Sequence, residues 1–272
     1  KLILLNIICF IFPLFLKTLF FLFAIPYGTF ISFFELSSDW ETLLFRPWSI
    51  VTYSFIHSGF FHLFWNMYLL YFSSRLFFNL FSANFFLNIY FLGVVVGAIT
   101  FLLSYALFPA FQNAAPSMIG ASAGVMGIFV FISTYSPDQE VRIIFFNIKL
   151  RYLAIGFVLI DVIQIPYGNA GGHLAHLGGA GLGFLYAQRL QNGIDIGLPF
   201  ERFIIKTIDL FKKKPTLRKV HKKKATKKIK STTTSDTLHQ KQIDTILDKI
   251  STSGYESLSQ KEKDFLFKVG KN

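Results

Sequence analysis

Residues 171–189 read GGHLAHLGGAGLGFLYAQR, an apolar stretch that carries two histidines and several glycines. Strongly polar side chains are costly inside a bilayer and usually serve a function there. Small residues spaced by four, as at Gly179 and Gly183, let membrane helices approach one another closely. The stretch therefore predicts a membrane helix that packs tightly against a neighbour and presents an imidazole toward it.

The composition divides the chain into an apolar body and a basic tail. Of the 272 residues, 53% are hydrophobic and only 15% are charged, whereas about a quarter of the residues of a soluble domain are charged. The net charge of +12 arises largely from residues 212–230. This run lacks the interleaved aromatic residues that bind nucleic acid. We therefore expect no nucleic-acid partner, and instead attraction to the anionic lipid of the bilayer.

Six segments have the length and apolar character of membrane helices, which need about 20 residues. The first is interpreted as a retained helix because it lacks the small-residue cleavage site of a signal peptide. The predicted spans are residues 1–23, 51–72, 85–108, 118–136, 149–166 and 171–189.

The predicted fold is therefore all-α, a six-transmembrane-helix bundle with a cytosolic basic linker and a small helical hairpin. The predicted boundaries are 1–190 for the membrane domain, 191–236 for a partly disordered linker and 237–272 for the hairpin.

The distribution of positive charge predicts the orientation. Arg75 follows the second span, and Arg142, Lys149 and Arg151 follow the fourth, up to the start of the fifth. Residues 109–117 and 167–170 contain neither Lys nor Arg. The positive-inside rule then places both termini in the cytoplasm. The second, fourth and sixth spans run from outside to inside.

Four polar residues lie in the first halves of these three spans. Counted from the predicted helix starts at ~1.5 Å per residue, His62 and Asn66 lie roughly 16 to 22 Å deep, and Ser122 and His176 roughly 6 to 8 Å deep. All four are expected in the outer half of the bilayer, which suggests one converging site.

Three further polar residues receive other interpretations. His57 is assigned to the second span, turned away from the face of His62, with a structural role. His173 is interpreted as an interfacial residue at the start of the sixth span. Asp161, near the outer end of the fifth span, is interpreted as a solvated residue or part of a gate.

The four site residues suit acyl transfer. A serine hydroxyl becomes a nucleophile when an adjacent base takes its proton, and the His176 imidazole can do so near neutral pH. The tetrahedral intermediate needs hydrogen-bond donors for its oxyanion. His62, Asn66 and the backbone N–H of Ser122, near a helix start, can supply them.

The motifs in this order resemble those of the rhomboid family. GASAG at 120–124 resembles the nucleophile motif G-x-S, and HSGFFHLFWN at 57–66 resembles the motif of two histidines and an asparagine on helix two. AHLGGAGLG at 175–183 resembles the helix-six motif, in which glycines follow the catalytic histidine by three and seven residues. Arg46 and Trp48 are similar to a Trp-Arg element before helix two, in reversed order.

The resemblance covers about residues 1–190 and implies a serine endopeptidase that works by a Ser–His dyad without an aspartate. It implies Ser122 as nucleophile and His176 as general base. It also implies single-pass or multi-pass membrane proteins as substrates, cleaved near the outer leaflet, with no metal and no cofactor. Helix five and its flanking loop are implied to act as a lateral gate. The residues expected to allow close helix packing are Gly120, Gly124, Gly179 and Gly183.

One position departs from the family pattern. Family members often have an aromatic residue four positions after the serine, packed against the histidine, and this chain has Met126 there. A thioether can pack on an imidazole ring, so activity is expected to survive.

Two other functions stay open. An inactive rhomboid-like protein that binds membrane helices usually lacks the serine or the histidine. A small transporter usually has an internal repeat and polar residues near the midplane. This sequence has both Ser122 and His176, and it shows no repeat.

The C-terminal hairpin is predicted from helical spacing of apolar residues, from a capping box formed by Ser259 and Glu262, and from a turn at Gly254-Tyr255. It resembles a helical extension of some bacterial rhomboids, and it is expected to dock a cytosolic partner or to self-associate. The apolar residues are Ile243, Ile246, Leu247 and Ile250.

Overall fold

A computed structural model describes residues 1–112, 114–143, 145–211 and 234–269. The chain divides into two compact units, Lys1–Lys213 and Lys214–Asn272. The basic run that the sequence analysis assigns to the linker, residues 212–230, lies outside the described residues.

The first unit is built from helices, which confirms the all-α prediction and its membrane-bundle character. Ten α-helices occur in its described residues: α1 Leu2–Leu22, α2 Tyr27–Ile31, α3 Trp40–Phe45, α4 Ser49–Thr52, α5 Phe60–Phe77, α6 Ala83–Leu107, α7 Ser122–Tyr135, α8 Leu150–Gln164, α9 Ala170–Gln191 and α10 Leu198–Phe211.

Three of these helices are long and apolar enough to cross a membrane by themselves. They are α1, α6 and the continuous helix Leu150–Tyr167, which contains α8. Helix α7 is apolar but shorter. The other two predicted spans coincide with α5 and α9, which carry the histidines.

The second predicted span is wrong at its start. The sequence predicts a helix from residue 51, but α5 begins at Phe60. Short turns, α4 and the 3-10 helix Tyr53–Phe55, precede it, and Gly59 at its N-terminal boundary is extended. His57 consequently lies in the segment before α5 and not on the helix.

Helix α7 lies at the centre of the unit. Every residue from Ala123 to Ser133 is buried, so the helix is apolar on all sides, as expected of a helix surrounded by others. It packs mainly against α9, α6 and α5. The residue that begins this central helix is Ser122.

Two small antiparallel sheets fix the connections between helices. In the first, β1 (Leu36–Ser37) pairs with β2 (Ser117–Met118), so the segment after α1 is tied to the segment before α7. In the second, β3 (Glu140–Ile143) pairs with β4 (Phe146–Lys149) as a hairpin between α7 and α8. The sequence did not predict these strands.

An ion pair closes the base of this hairpin. The Lys149 ammonium donates to the Asp138 carboxylate at 3.0 Å, and Arg151 pairs with the same oxygen. The hydrogen bond from Lys149 is the main cause of the lowered pKa of the Asp138 carboxyl. Two of the positive charges of this connection, Lys149 and Arg151, are therefore held together by one carboxylate.

The described part of the second unit, residues 234–269, contains α11 (Thr234–Ser253) and α12 (Gln260–Val269), joined by a turn at Gly254. The Glu262 carboxylate accepts hydrogen bonds from the backbone N–H and the hydroxyl of Ser259, both at 2.7 Å. The Lys249 ammonium of α11 donates to the same carboxylate at 3.0 Å. The Glu262 side chain thus caps α12 and links it to α11.

Candidate active site

A cavity of about 630 Å³ opens among α5, α7, α8 and α9. Its lining includes all four residues that the sequence selects, Ser122, His176, His62 and Asn66, and two others, Asp161 and His173. Most of the remaining lining is apolar. The four residues therefore share one cavity, although they are far apart in sequence.

The turn before α7 holds Ser122 at the cavity wall. Gly120 has φ +121°, a conformation that favours glycine, and its N–H donates to the Tyr53 carbonyl at 2.9 Å. Gly120 thus lies outside the helix, and its role is in this turn rather than in helix packing. The hydrogen bond from the Val125 N–H to the Ala121 carbonyl is the first i to i−4 bond of the helix. The Ser122 N–H lies in the first turn and therefore has no acceptor within the helix.

The His62 ring is oriented by Ser58, which lies just before the start of α5. Its Nδ1 lies 3.1 Å from the Ser58 hydroxyl and 3.4 Å from the Ser58 backbone nitrogen. A backbone N–H can only donate, so Nδ1 is the acceptor and the ring proton of neutral imidazole lies on Nε2. A Cβ at Gly120 would lie 2.8 Å from Nε2 and 3.5 Å from Ser122 Oγ. The Nε2–H donor therefore lies beside the serine.

Asn66 lies one turn further along α5, on the same face as His62. Its side-chain amide donates to the His62 carbonyl at 2.8 Å, so one of its two N–H donors is used within the helix. The other donor remains for a group in the cavity. Asn66 is buried.

His57 packs edge-on against His62, with the two ring centroids 5.0 Å apart. It is buried and lies outside the lining of the cavity that contains Ser122. It therefore packs against the His62 ring without lining the cavity.

Close packing of α9 against α7 brings the histidines of α9 to the serine. A Cβ at Gly179 would lie 2.1 Å from the Ala123 carbonyl oxygen, and one at Gly183 would lie 2.3 Å from the Gly127 carbonyl oxygen. Gly124 serves a different contact, because a Cβ there would meet the Tyr90 ring of α6 at 2.9 Å. Side chains at 179 or 183 would push the two helices apart.

Asp161 is the residue whose role sequence reasoning missed. It is only 6% exposed, so its interpretation as a solvated residue is wrong. Its Oδ1 lies 2.8 Å from His176 Nδ1 and 2.7 Å from His173 Nδ1. His173, interpreted from the sequence as an interfacial residue, lies in the first turn of α9, half-buried and paired with the same carboxylate. The only signal in the sequence was an acidic residue in an apolar span.

Ser122 and His176 line the same cavity, but among the described residues no hydrogen bond joins them. Hydrogen bonds between catalytic groups are often long in free enzymes and tighten when substrate binds. With Nδ1 of His176 on the carboxylate, its Nε2 is the nitrogen left for the serine.

Met126 is buried and lines the same cavity as His176. It packs with Phe129, Val130 and Ala180 in an apolar cluster between α7 and its neighbours. A thioether is only a weak hydrogen-bond acceptor, so the contact to Asp161 is the stronger constraint on the orientation of the ring.

Asp161, His173 and His176 could also be considered as metal ligands, since their ligand atoms lie within 4.8 Å of one another. Two ligands on one tetrahedral zinc, with bonds of about 2.0–2.1 Å, would be separated by about 3.3 Å. The observed nitrogen–oxygen distances of 2.7 and 2.8 Å are shorter and are those of hydrogen bonds.

The corrected start of α5 changes the estimated depths of the site residues. His62 is the third residue of α5, Ser122 the first of α7 and His176 the seventh of α9. At 1.5 Å per residue all three lie within about 9 Å of their helix starts. The site therefore lies at one end of three parallel helices.

Comparison with known families agrees with this geometry. The Rhomboid domain matches residues 45–192, more than half of the chain, including α5 to α9. A family of unknown function (DUF6576) matches residues 235–271, in the second unit. Neither a curated protein nor a solved structure matches the chain. The chain belongs to the rhomboid family, and so to multi-pass membrane proteins that are generally intramembrane serine proteases.

Proposed function

We propose that this protein is an active intramembrane serine endopeptidase, with Ser122 as nucleophile and His176 as general base. The observation that carries the proposal is the shared cavity, in which a helix-start serine, a histidine with a free Nε2 and the Nε2–H of His62 meet.

In the reaction, Ser122 Oγ attacks the scissile carbonyl carbon while His176 Nε2 takes the hydroxyl proton. The oxyanion that forms accepts hydrogen bonds from His62 Nε2–H, from the Ser122 N–H and from the free Asn66 N–H. The C–N bond breaks as His176 gives its proton to the leaving amine. Water then hydrolyses the acyl-enzyme, with His176 again as the base.

The substrates are membrane-embedded segments of single-pass or multi-pass proteins. Trp65 of α5 and Phe157 of α8 line the cavity and are substantially exposed on the outer surface of the unit. Such apolar edges suit entry of a helix from the lipid between α5 and α8. With both termini cytoplasmic, cleavage occurs near the outer leaflet of the inner membrane.

Labelling with a fluorophosphonate probe tests the proposal. The purified full-length protein in detergent is expected to be labelled and to cleave a transmembrane helix fused between two soluble reporters. Ser122→Ala and His176→Ala are expected to abolish both activities, and Ser74→Ala, at the far end of α5, to retain both.

If the wild type is neither labelled nor able to cleave the helix, the chain is an inactive family member that binds membrane helices. Ion or solute flux through the protein in liposomes, without cleavage, would instead support a transporter.

A further inference from the structure

The Asp161 carboxylate is more deeply buried than the three histidines that line the same cavity. It lies on α8 and faces α9, with a side-chain exposure of 8%. An acidic side chain at such a position is costly unless it is paired. Here a single oxygen, Oδ1, accepts from two imidazoles that are three residues apart on α9.

These contacts fix the tautomers of both histidines. A carboxylate oxygen can only accept, so Nδ1 of each neutral ring carries the proton. His176 then presents an unprotonated Nε2, the form that a general base requires. The second imidazole, His173, holds the carboxylate in place and supplies an additional hydrogen bond to it.

We propose that Asp161 is a positioning residue that orients His176 for catalysis, with His173 holding the carboxylate. This inference rests on the proposed protease function and extends it, because the family resemblance implies a dyad alone. When Ser122 transfers its proton to Nε2, the resulting imidazolium lies against an ionised carboxylate. The carboxylate stabilises this cation and does not take the proton.

Asp161 also connects two helices, because it lies on α8 and both of its histidine partners lie on α9. Helix α8 has few buried residues: only Leu150, Ala154 and Asp161 are buried along its length. The two hydrogen bonds that Asp161 accepts from His173 and His176 therefore tie α8 to α9 at the level of the site.

Steady-state kinetics on the full-length protein test the proposal. Asp161→Asn, which keeps the size of the side chain, is expected to lower kcat by about 10- to 100-fold, part of the usual contribution of general acid–base catalysis, with KM little changed. His173→Gln is expected to lower kcat less, because the carboxylate still contacts His176. Asp138→Asn, at the base of the β3–β4 hairpin, is the matched control and is expected to keep wild-type kcat.

A purely structural role predicts a different pattern. If Asp161→Asn lowers the thermal unfolding temperature but keeps wild-type kcat at a temperature where it is folded, the positioning role is wrong. Loss of wild-type activity in EDTA would also overturn it, because the three residues would then hold a metal ion. Activity unaffected by EDTA supports the hydrogen-bonded arrangement.

Nitrogen NMR on protein labelled with ¹⁵N-histidine decides the point without any substrate. The His176 ring, assigned with His176→Gln, is expected to carry its proton on Nδ1 in the wild type and to lose that preference in Asp161→Asn. A wild-type ring protonated on Nε2 overturns the inference even if the enzyme is active. If the wild type is inactive but Nδ1 is protonated as expected, the proposed function fails and the orienting contact stands.

Discussion

The His62 imidazole lies against the backbone of Gly120, with Nε2 2.8 Å from the point that a Cβ at position 120 would occupy. The proposed oxyanion donor and the turn before the proposed nucleophile are thus neighbours. Gly120 also has a positive φ of 121°, so two independent constraints exclude a side chain there.

Substitution of Gly120 by alanine is expected to remove activity. The methyl group would displace the His62 ring, and a left-handed conformation costs a residue with a Cβ about 1–2 kcal/mol. Probe labelling and thermal unfolding in detergent measure the two effects. The control is Gly156→Ala on α8, where nothing lies within 4 Å of the added methyl. Equal labelling of both variants would contradict the proposed contact.

Loss of either proposed oxyanion donor, His62 or Asn66, is expected to lower kcat. Removal of one such donor typically lowers kcat by about 10²–10³-fold. We expect His62→Ala to reach this range and Asn66→Ala to cost less, because one Asn66 N–H already bonds the His62 carbonyl. Cleavage kinetics measure both, with Asn147→Ala in β4 as the control. A rise in KM with an unchanged kcat would assign these residues to substrate binding instead.

Close packing of α9 on α7 is expected to make Gly179 intolerant of substitution. In Gly179→Ala the methyl would meet the Ala123 carbonyl at 2.1 Å, a backbone atom that cannot move aside alone. Overpacking of this kind costs about 1–3 kcal/mol or more, so the unfolding temperature in detergent should fall. Gly181→Ala, two residues away in open space, should keep wild-type stability. A stable, active Gly179→Ala would refute the packing argument.

The α11–α12 hairpin is expected to loosen at low pH. The hydrogen bond from the Ser259 N–H, together with the Ser259 hydroxyl and Lys249, lowers the pKa of Glu262 from 4.5 to about 2. Its stabilising contribution is therefore fully present above about pH 4.5 and is lost as the pH falls toward 2. Hydrogen exchange of residues 260–269 in the full-length protein measures this.

Glu262→Gln serves as the control for the pH experiment, because its side chain can still accept from Ser259 but does not titrate. Its exchange rates, corrected for intrinsic exchange, should depend less on pH between 4.5 and 2. If the wild type and Glu262→Gln respond identically to acid, Glu262 does not stabilise the hairpin.

Much of the site could be predicted because polar residues inside apolar helices are few. Ser122, His176, His62 and Asn66 were selected from the sequence, and the structure places all four in one cavity. The start of α5 was predicted nine residues too early, at 51 instead of Phe60. Residues 51–59 are apolar enough to be predicted as part of the helix. The helix begins later because Gly59 is extended and Ser58 contacts the His62 ring.

The sequence by itself determined that this is a helical membrane protein with three motifs in rhomboid order, because hydrophobicity and residue spacing are local properties. The tertiary structure alone decided that Asp161 faces His176. Helical periodicity shows which residues share a face, but not how one helix is rotated toward the next. That rotation is set by the packing of α8 and α9 and by the left-handed turn at Asn169 between them, and it converts an isolated acidic residue into a partner of the proposed base.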